Sequence, residues 1–393
     1  MNRLPPVRNR IISIDLLRGI VMVTMALDHV RDFFHLDALQ QDPLNLATTT
    51  PPLFLTRWIT HFCAPVFVFL AGVSIYLAGL RRTRTELRIF LITRGLWLIA
   101  IEIVVMTFAL SFNPTYNLVI LDTLWAIGTS MIVVGLLINL PWKALLAIGL
   151  IIVAGHNLLD VLNIPQKGAW QVIWHFIYGF PAVFPLSKTH TLIVAYTFLS
   201  WTGIMILGYV TGRLFAPGME VKKRIKILWL AGAIAILLFI VLRWANVYGN
   251  PVPWSVQKKA GFTLLSFLNV NKYPPSLLFT CMTLGPALIL LAVFEQAKSR
   301  LSALLVIYGR VPFFYFIIHF FLVHLLLVIA FFLSGYGIKD IASPPFYFHP
   351  PQLGYPLGIV YIIWILVVVL MYPICRWYAQ YKRTHTQWWL SYL

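Results

Sequence analysis

Ten stretches of this chain are apolar and long enough to cross a bilayer: roughly 12–33, 58–80, 89–111, 117–139, 143–160, 191–213, 226–245, 276–295, 302–332 and 355–379. Lipid offers the backbone no hydrogen-bond partner, so a spanning segment must satisfy its amides internally, as a helix does. About 20 residues at ~1.5 Å each match the hydrocarbon thickness. The sequence therefore predicts an all-α polytopic membrane protein of about ten helices. Composition agrees, with 60% hydrophobic and 11% charged residues, against about a quarter charged in soluble domains. Nearly all of the length goes into spans, so residues 1–393 read as one integral-membrane domain. The ninth span is overlong, and "YGRVP" (308–312) is expected to break it. The basic start "MNRLPPVRNR" leads into an apolar run without a small-residue cleavage site, which reads as an uncleaved first span.

Charge sets the expected orientation. With the N-terminus in the cytoplasm, nineteen Lys and Arg fall on inner segments and nine on outer ones. That bias predicts both termini inside and an even number of spans. The net charge of +18 sits mostly in short loops, where it meets anionic lipid headgroups; nucleic acid is excluded as a partner. The long outer loops, roughly 34–57, 161–190, 246–275 and 333–354, imply that a vestibule opens outward. Cys63, Cys281 and Cys375 lie in or beside apolar segments without a CxxC pair, and read as small core residues.

The first span is unusual: "SIDLLRGIVMVTMALDHVRDFF" carries Asp15, Arg18, Asp28, His29, Arg31 and Asp32. Eleven residues at about 100° each return to nearly the same azimuth, so Arg18 and His29 share a face about 16 Å apart. Charges at such depth are costly and usually face a bundle interior or a watery cavity. A histidine there suits general-base work, and Asp28 or Asp32 is close enough in sequence to hold its tautomer. The same residues also fit a plain ion pair between Asp15 and Arg18 with a wetted cluster at the outer edge.

The stretch "RGIVMVTMALDH" resembles the Arg-x10-His hallmark of membrane acyltransferases. With "TRWITHFCAPVFVFLAGVS", and more loosely "LDTLWAIGTSM" and "YGRVPFFYFIIH", the chain resembles the heparan-α-glucosaminide N-acetyltransferase catalytic-domain-like family, notably its bacterial inner-membrane members. The resemblance implies transfer of an acyl group, most simply acetyl, from cytoplasmic acyl-coenzyme A to an extracytoplasmic glycan. Where the animal lysosomal enzyme has a later histidine, this chain has Gln40, and His29 stands where that enzyme has asparagine. The O-acyltransferase pattern therefore puts His29 forward as general base or transient acyl carrier. O- versus N-acylation stays open. Arg18 would position the donor or its carbonyl.

Other polar positions complete the expected site. Arg57 and His61, four apart, fit an anionic acceptor group or the acyl carbonyl, or equally a snorkelling arginine and a capped histidine. Asp122 and Trp125 lie one turn apart near the outer end of the fourth span. Glu102 is deeper and needs a partner, with Arg18 or Arg310 as candidates. Arg310, beginning on the cytoplasmic side, fits coenzyme A phosphates. His319 is mid-span, for substrate or for packing. No spacing resembles a metal motif, so no metal is expected. Expected partners are membrane lipids, acyl-coenzyme A and the glycan, with a second copy of the chain left open. The competing class is a transporter or exporter of a lipid-linked or glycan substrate, which would also need polar residues at the midplane.

Overall fold

The computed structural model describes residues 10–37, 40–162, 168–179, 182–341, 346–387 and 390. Arg3, Arg8 and Lys167, counted in the charge balance, lie outside the described residues. In chain order the helices are α1 (Ile12–Phe34), α2 (Pro51–Thr60), α3 (Cys63–Gly79), α4 (Arg84–Ile101), α5 (Thr107–Ser111), α6 (Thr123–Leu137), α7 (Trp142–Gly155), α8 (Ala169–Ile177), α9 (Phe198–Thr211), α10 (Val221–Ala245), α11 (Ala260–Leu268), α12 (Leu277–Phe294), α13 (Arg300–Arg310), α14 (Pro312–Leu333) and α15 (Leu357–Thr384). A five-residue π turn, Glu102–Met106, joins α4 to α5. Eight helical segments among the described residues are long and apolar enough to cross a membrane. The charged α1 and the shorter α6 bring the total to the ten expected. This is an all-α, multi-pass membrane protein.

Local chemistry sets many of the helix starts. Thr83 and Glu86 form a capping box, with bonds of 3.2 and 2.8 Å. Ser276 accepts from the Phe279 amide at 3.1 Å, and Ser299 from Ser302 at 3.0 Å. Pro312, fixed in φ and lacking an N–H, opens α14 just after the break at Val311. That break is where "YGRVP" was expected to interrupt the ninth span.

Two expected spans begin differently. Residues 118–121 and 191–194 are extended rather than helical, forming β1 (Leu118–Leu121) and β3 (Thr191–Val194) on either side of β2 (Ala182–Pro185) in chain order. The sheet order is β1-β3-β2, with β1 and β3 parallel and β2 antiparallel to β3. The runs "LVIL" and "TLIV" are apolar and β-branched, and hydropathy alone does not separate such a run from a helix start. The second expected span is also longer and broken: it starts at Pro51 and is interrupted between Thr60 and Cys63.

Helices cross where glycines meet. At four crossings each helix contributes one: Gly19 with Gly309, Gly72 with Gly208, Gly95 with Gly128, and Gly232 with Gly285. A Cβ on Gly208 would overlap the Phe69 carbonyl, and one on Gly72 the Met205 carbonyl. In lipid there is little hydrophobic drive between helices, so close backbone approach supplies van der Waals packing in its place. These crossings hold α1 against α13, α3 against α9, α4 against α6, and α10 against α12.

Gly208→Val is expected to destabilise the purified protein by about 1–3 kcal/mol or more, through overpacking against backbone that cannot yield. Gly358→Val, at a position with nothing within 4 Å of an added Cβ, is expected to stay within about 0.5 kcal/mol of the parent. Thermal melting in detergent compares the two.

Candidate active site

The polar stripe of α1 lines a cavity. Ser13, Asp15, Arg18, Met25, Asp28, His29 and Asp32 all border one space of about 1250 Å³. Arg18, Met25, His29 and Asp32, at spacings of seven, four and three, share one helix face. Arg18 and His29 therefore face the same space from one helix, Arg18 nearer its start.

At the end where α1 begins, the walls are basic, with Arg10, Arg81, Arg82, Arg224, Arg310 and Lys382. Some of this charge is internally matched. Arg10 lies 3.5 Å from Asp15, and Arg224 is paired with Glu295, which also accepts from the Ser13 hydroxyl. Arg310 keeps its Nε without a hydrogen-bond partner. Arg18 donates to Asp15 at 3.4 Å, to the Leu70 carbonyl at 3.2 Å, and to the Ser74 hydroxyl. It is thus fixed against α3 while still bordering the cavity.

At the far end Asp28 is the organising group. Arg57 Nη1 donates to both its oxygens, at 2.7 and 2.6 Å. The Thr60 hydroxyl donates at 2.8 Å, and Arg31 approaches to 2.9 Å. The expected bond from Asp28 or Asp32 to the imidazole is not formed. Asp32 is bonded to Arg31 instead, and among the described residues nothing hydrogen-bonds to the His29 ring. The reason is geometric: consecutive residues on a helix diverge by about 100°, so Asp28 turns toward α2 while His29 turns toward α14.

His29 is half-buried, its ring 4.1 Å from Phe320 and 5.2 Å from His319 between centroids. His319 is fully buried and does not border the cavity. Its Nδ1 lies 2.9 Å from the Tyr315 carbonyl, which can only accept, so Nδ1 carries the proton and Nε2 is left without a partner. His319 thus lies behind His29 and Phe316, which do line the cavity.

Several other expected residues are placed differently. His61 follows Arg57 by one turn, as the C-cap of α2, but does not border the cavity. It packs on Phe279 at 5.4 Å, behind the cavity wall, with neither ring nitrogen bonded. Asp122 borders the cavity, held by the Thr123 hydroxyl at 3.2 Å. Trp125 does not; its ring packs on Phe176 at 5.7 Å. Glu102 pairs with neither Arg18 nor Arg310. It accepts the Leu124 and Trp125 amides at 2.7 and 3.1 Å and so caps α6.

Sequence reasoning did not reach Tyr196, Lys272 and Tyr273, which face the same end of the cavity. The parallel pairing of β1 and β3 delivers Asp122 and Tyr196 side by side, with the Tyr196 amide on the Leu121 carbonyl at 3.2 Å. Nothing in "NVNKYPPS" signals that its lysine turns inward. A half-buried imidazole on a cavity wall, with arginines at one end and carboxylates at the other, can take a proton from a bound hydroxyl or amine.

The model of the heparan-alpha-glucosaminide N-acetyltransferase catalytic family matches residues 10–248, more than half of the chain. No curated relative matches it.

Asp28→Asn is expected to cost about 3 kcal/mol or more, because it strands two buried guanidinium groups. Asp32→Asn, at a carboxylate 44% exposed, is expected to cost at most about 1 kcal/mol. Melting curves of the two variants separate these cases.

Proposed function

The chain belongs to the heparan-alpha-glucosaminide N-acetyltransferase catalytic family, and from that premise we propose that it is a transmembrane acyltransferase. It moves an acyl group, most simply acetyl, from cytoplasmic acyl-coenzyme A to a glycan or related acceptor on the other side of the cell membrane. The observation that carries this reading is the single cavity bordered by basic side chains at one end and by His29 at the other. Its volume of about 1250 Å³ exceeds that of ordinary small-ligand pockets, roughly 300–1,000 Å³. It suits a long donor together with an acceptor.

In this reading Arg10, Arg81, Arg82 and Arg310 receive the donor's phosphates, for which guanidinium forks are matched. Arg18, held by Asp15 and Ser74, steadies the pantetheine arm or the thioester carbonyl on its way to His29. His29 removes the proton from the acceptor hydroxyl or amine. The acceptor's lone pair attacks the thioester carbonyl, the C–S bond breaks, and the coenzyme leaves as a thiolate that regains a proton. If the imidazole is acylated first, the same atoms move in two steps. His319 acts as a positioning residue: it packs against the His29 ring and helps fix its plane. Trp125 and His61 shape the wall from behind. No inverted repeat is evident in the sequence to favour transport.

Labelled acetyl-coenzyme A is supplied to the purified protein in membranes, and label is followed onto glycan, lipid or protein. His29→Ala is expected to lower transfer at least about a hundredfold, the usual scale of acid–base catalysis, with the melting temperature kept. Normal turnover in that variant would reject the base assignment. Arg18→Ala is expected to raise the donor KM more than the acceptor KM; a defect confined to the acceptor would remove Arg18 from the donor path.

A further inference from the structure

Helix α8, "AWQVIWHFI", is apolar but buries none of its residues. Nine residues at ~1.5 Å each cannot cross a bilayer. Trp170 is 72% exposed, and Val172 and Ile173 are exposed beside it. Strand β2 packs on α8 through Phe184, whose ring stacks on Phe176 at 5.8 Å and meets His175 at 5.9 Å. Its own neighbours Val183 and Leu186 are exposed. An apolar surface of this extent marks a contact with protein or with membrane.

Contacts at the C-terminal half of α8 fix the level at which it sits. Its C-cap, Tyr178, donates to Asp160 at 2.6 Å and packs edge-on against His156 at 5.8 Å. Both partners lie at the end of the membrane-spanning segment Trp142–Val161. Asp160 also accepts from Asn157 at 3.0 Å, and Asn157 accepts the Leu277 amide at 2.9 Å, where α12 begins. Phe176 packs on Trp125, in the first turn of α6, at 5.7 Å. So α8 is held where α7 ends and where α6 and α12 begin, at the membrane boundary on the His29 side of the bundle. Ile151, Leu158 and Val161 are exposed along the spanning segment. Its lipid-facing surface therefore runs up to the level of α8.

We propose that α8 and β2 form a foot resting in the leaflet on that side, with Trp170, Val172 and Ile173 at the boundary between headgroups and acyl chains. A tryptophan suits that depth, because its ring is apolar and its N–H can reach the headgroups. Short amphipathic helices bind membranes by burying one apolar face to this level. The sequence around the patch fits lipid rather than water or a charged protein partner. Neither α8 nor β2 carries Asp, Glu, Lys or Arg, whereas the turn after β2, Ser187, Lys188 and Thr189, is polar and exposed. The foot also braces the cavity. Through Trp125 and the sheet it supports Asp122 and Tyr196, which stand just beyond β1 and β3 and border that space. This holds whether or not the chain transfers acyl groups.

The test uses the full chain in phospholipid nanodiscs. A nitroxide is attached in turn at Ile173→Cys, Lys188→Cys and, as a mid-span reference, Ile151→Cys; Val172→Cys replaces Ile173→Cys if the latter does not melt cooperatively. Cys63, Cys281 and Cys375 are buried, and the parent treated with label gives the background. Collisions with oxygen, which enters hydrocarbon, are compared with collisions with a water-soluble nickel chelate. The Ile173 label is expected to favour oxygen, as the Ile151 label does, and the Lys188 label to favour nickel. An Ile173 label that favours nickel overturns the proposal, since the patch would then face water. So does a label shielded from both reagents whose dipolar broadening disappears on dilution with unlabelled chain, since a second copy would then cover the patch. The brace is read by hydrogen exchange: Trp170→Glu with Ile173→Glu is expected to speed exchange of the β2 and β3 amides at least about tenfold. Unchanged exchange would reject the bracing role.

Discussion

One carboxylate ties α1 to α2 at the end of the cavity where His29 lies. Asp28 sits on α1, takes two bonds from Arg57 and one from Thr60 on α2, and meets Arg31 one turn further along its own helix. Taking these charges out of water is expensive, and the cost is offset only when the geometry is good and every lone pair is used. Here both oxygens are bonded. The result ties α1 to α2, couples α2 to the 269–276 loop through Tyr273, and leaves the next residue, His29, turned into the cavity.

The two ends of the cavity differ in kind. Where α1 begins, cations outnumber acids, so the surplus is available to an anionic ligand. At the other end charge is nearly balanced, but the partners are distributed: Asp28 is saturated, Asp32 is exposed beside Arg31, and Asp122 and Lys272 form no ion pair within 4 Å among the described residues. A saturated cluster gives rigidity, and open groups give recognition. This asymmetry along one helix is what the proposed acyl transfer would use, with the donor held by charge at the basic end. The glycine crossings keep the bundle tight enough for such a passage to have a defined width.

The legibility of these features in the sequence follows their range. The ten spans, the break before Pro312 and the common face of Arg18 and His29 depend on neighbours within a few turns, and were legible. The strands at 118–121 and 191–194 were not, because a short β-branched apolar run looks alike in a helix and in a sheet. His61 was expected in the site because it lies one turn from Arg57, yet its ring packs on Phe279 and does not border the cavity. Glu102 found its partners in the backbone amides of α6, which carry no signature that hydropathy or charge counting registers. Asp28 and Asp32 were matched to His29 by proximity in sequence, whereas Arg31 of the same helix took Asp32, and Arg57 from α2 took Asp28.

By itself the sequence determined that this chain lies in a membrane as a helical bundle, and that its first helix carries an imidazole and a guanidinium on one face. Both follow from hydropathy and helical period, which are local properties. Tertiary structure decided which acid meets which cation, which histidine touches the cavity and which is sealed behind it. It also decided that a lysine from a distant loop turns inward between two tyrosines. These outcomes depend on which helices and loops meet, and side chains brought together from separate segments leave no periodic trace in either one.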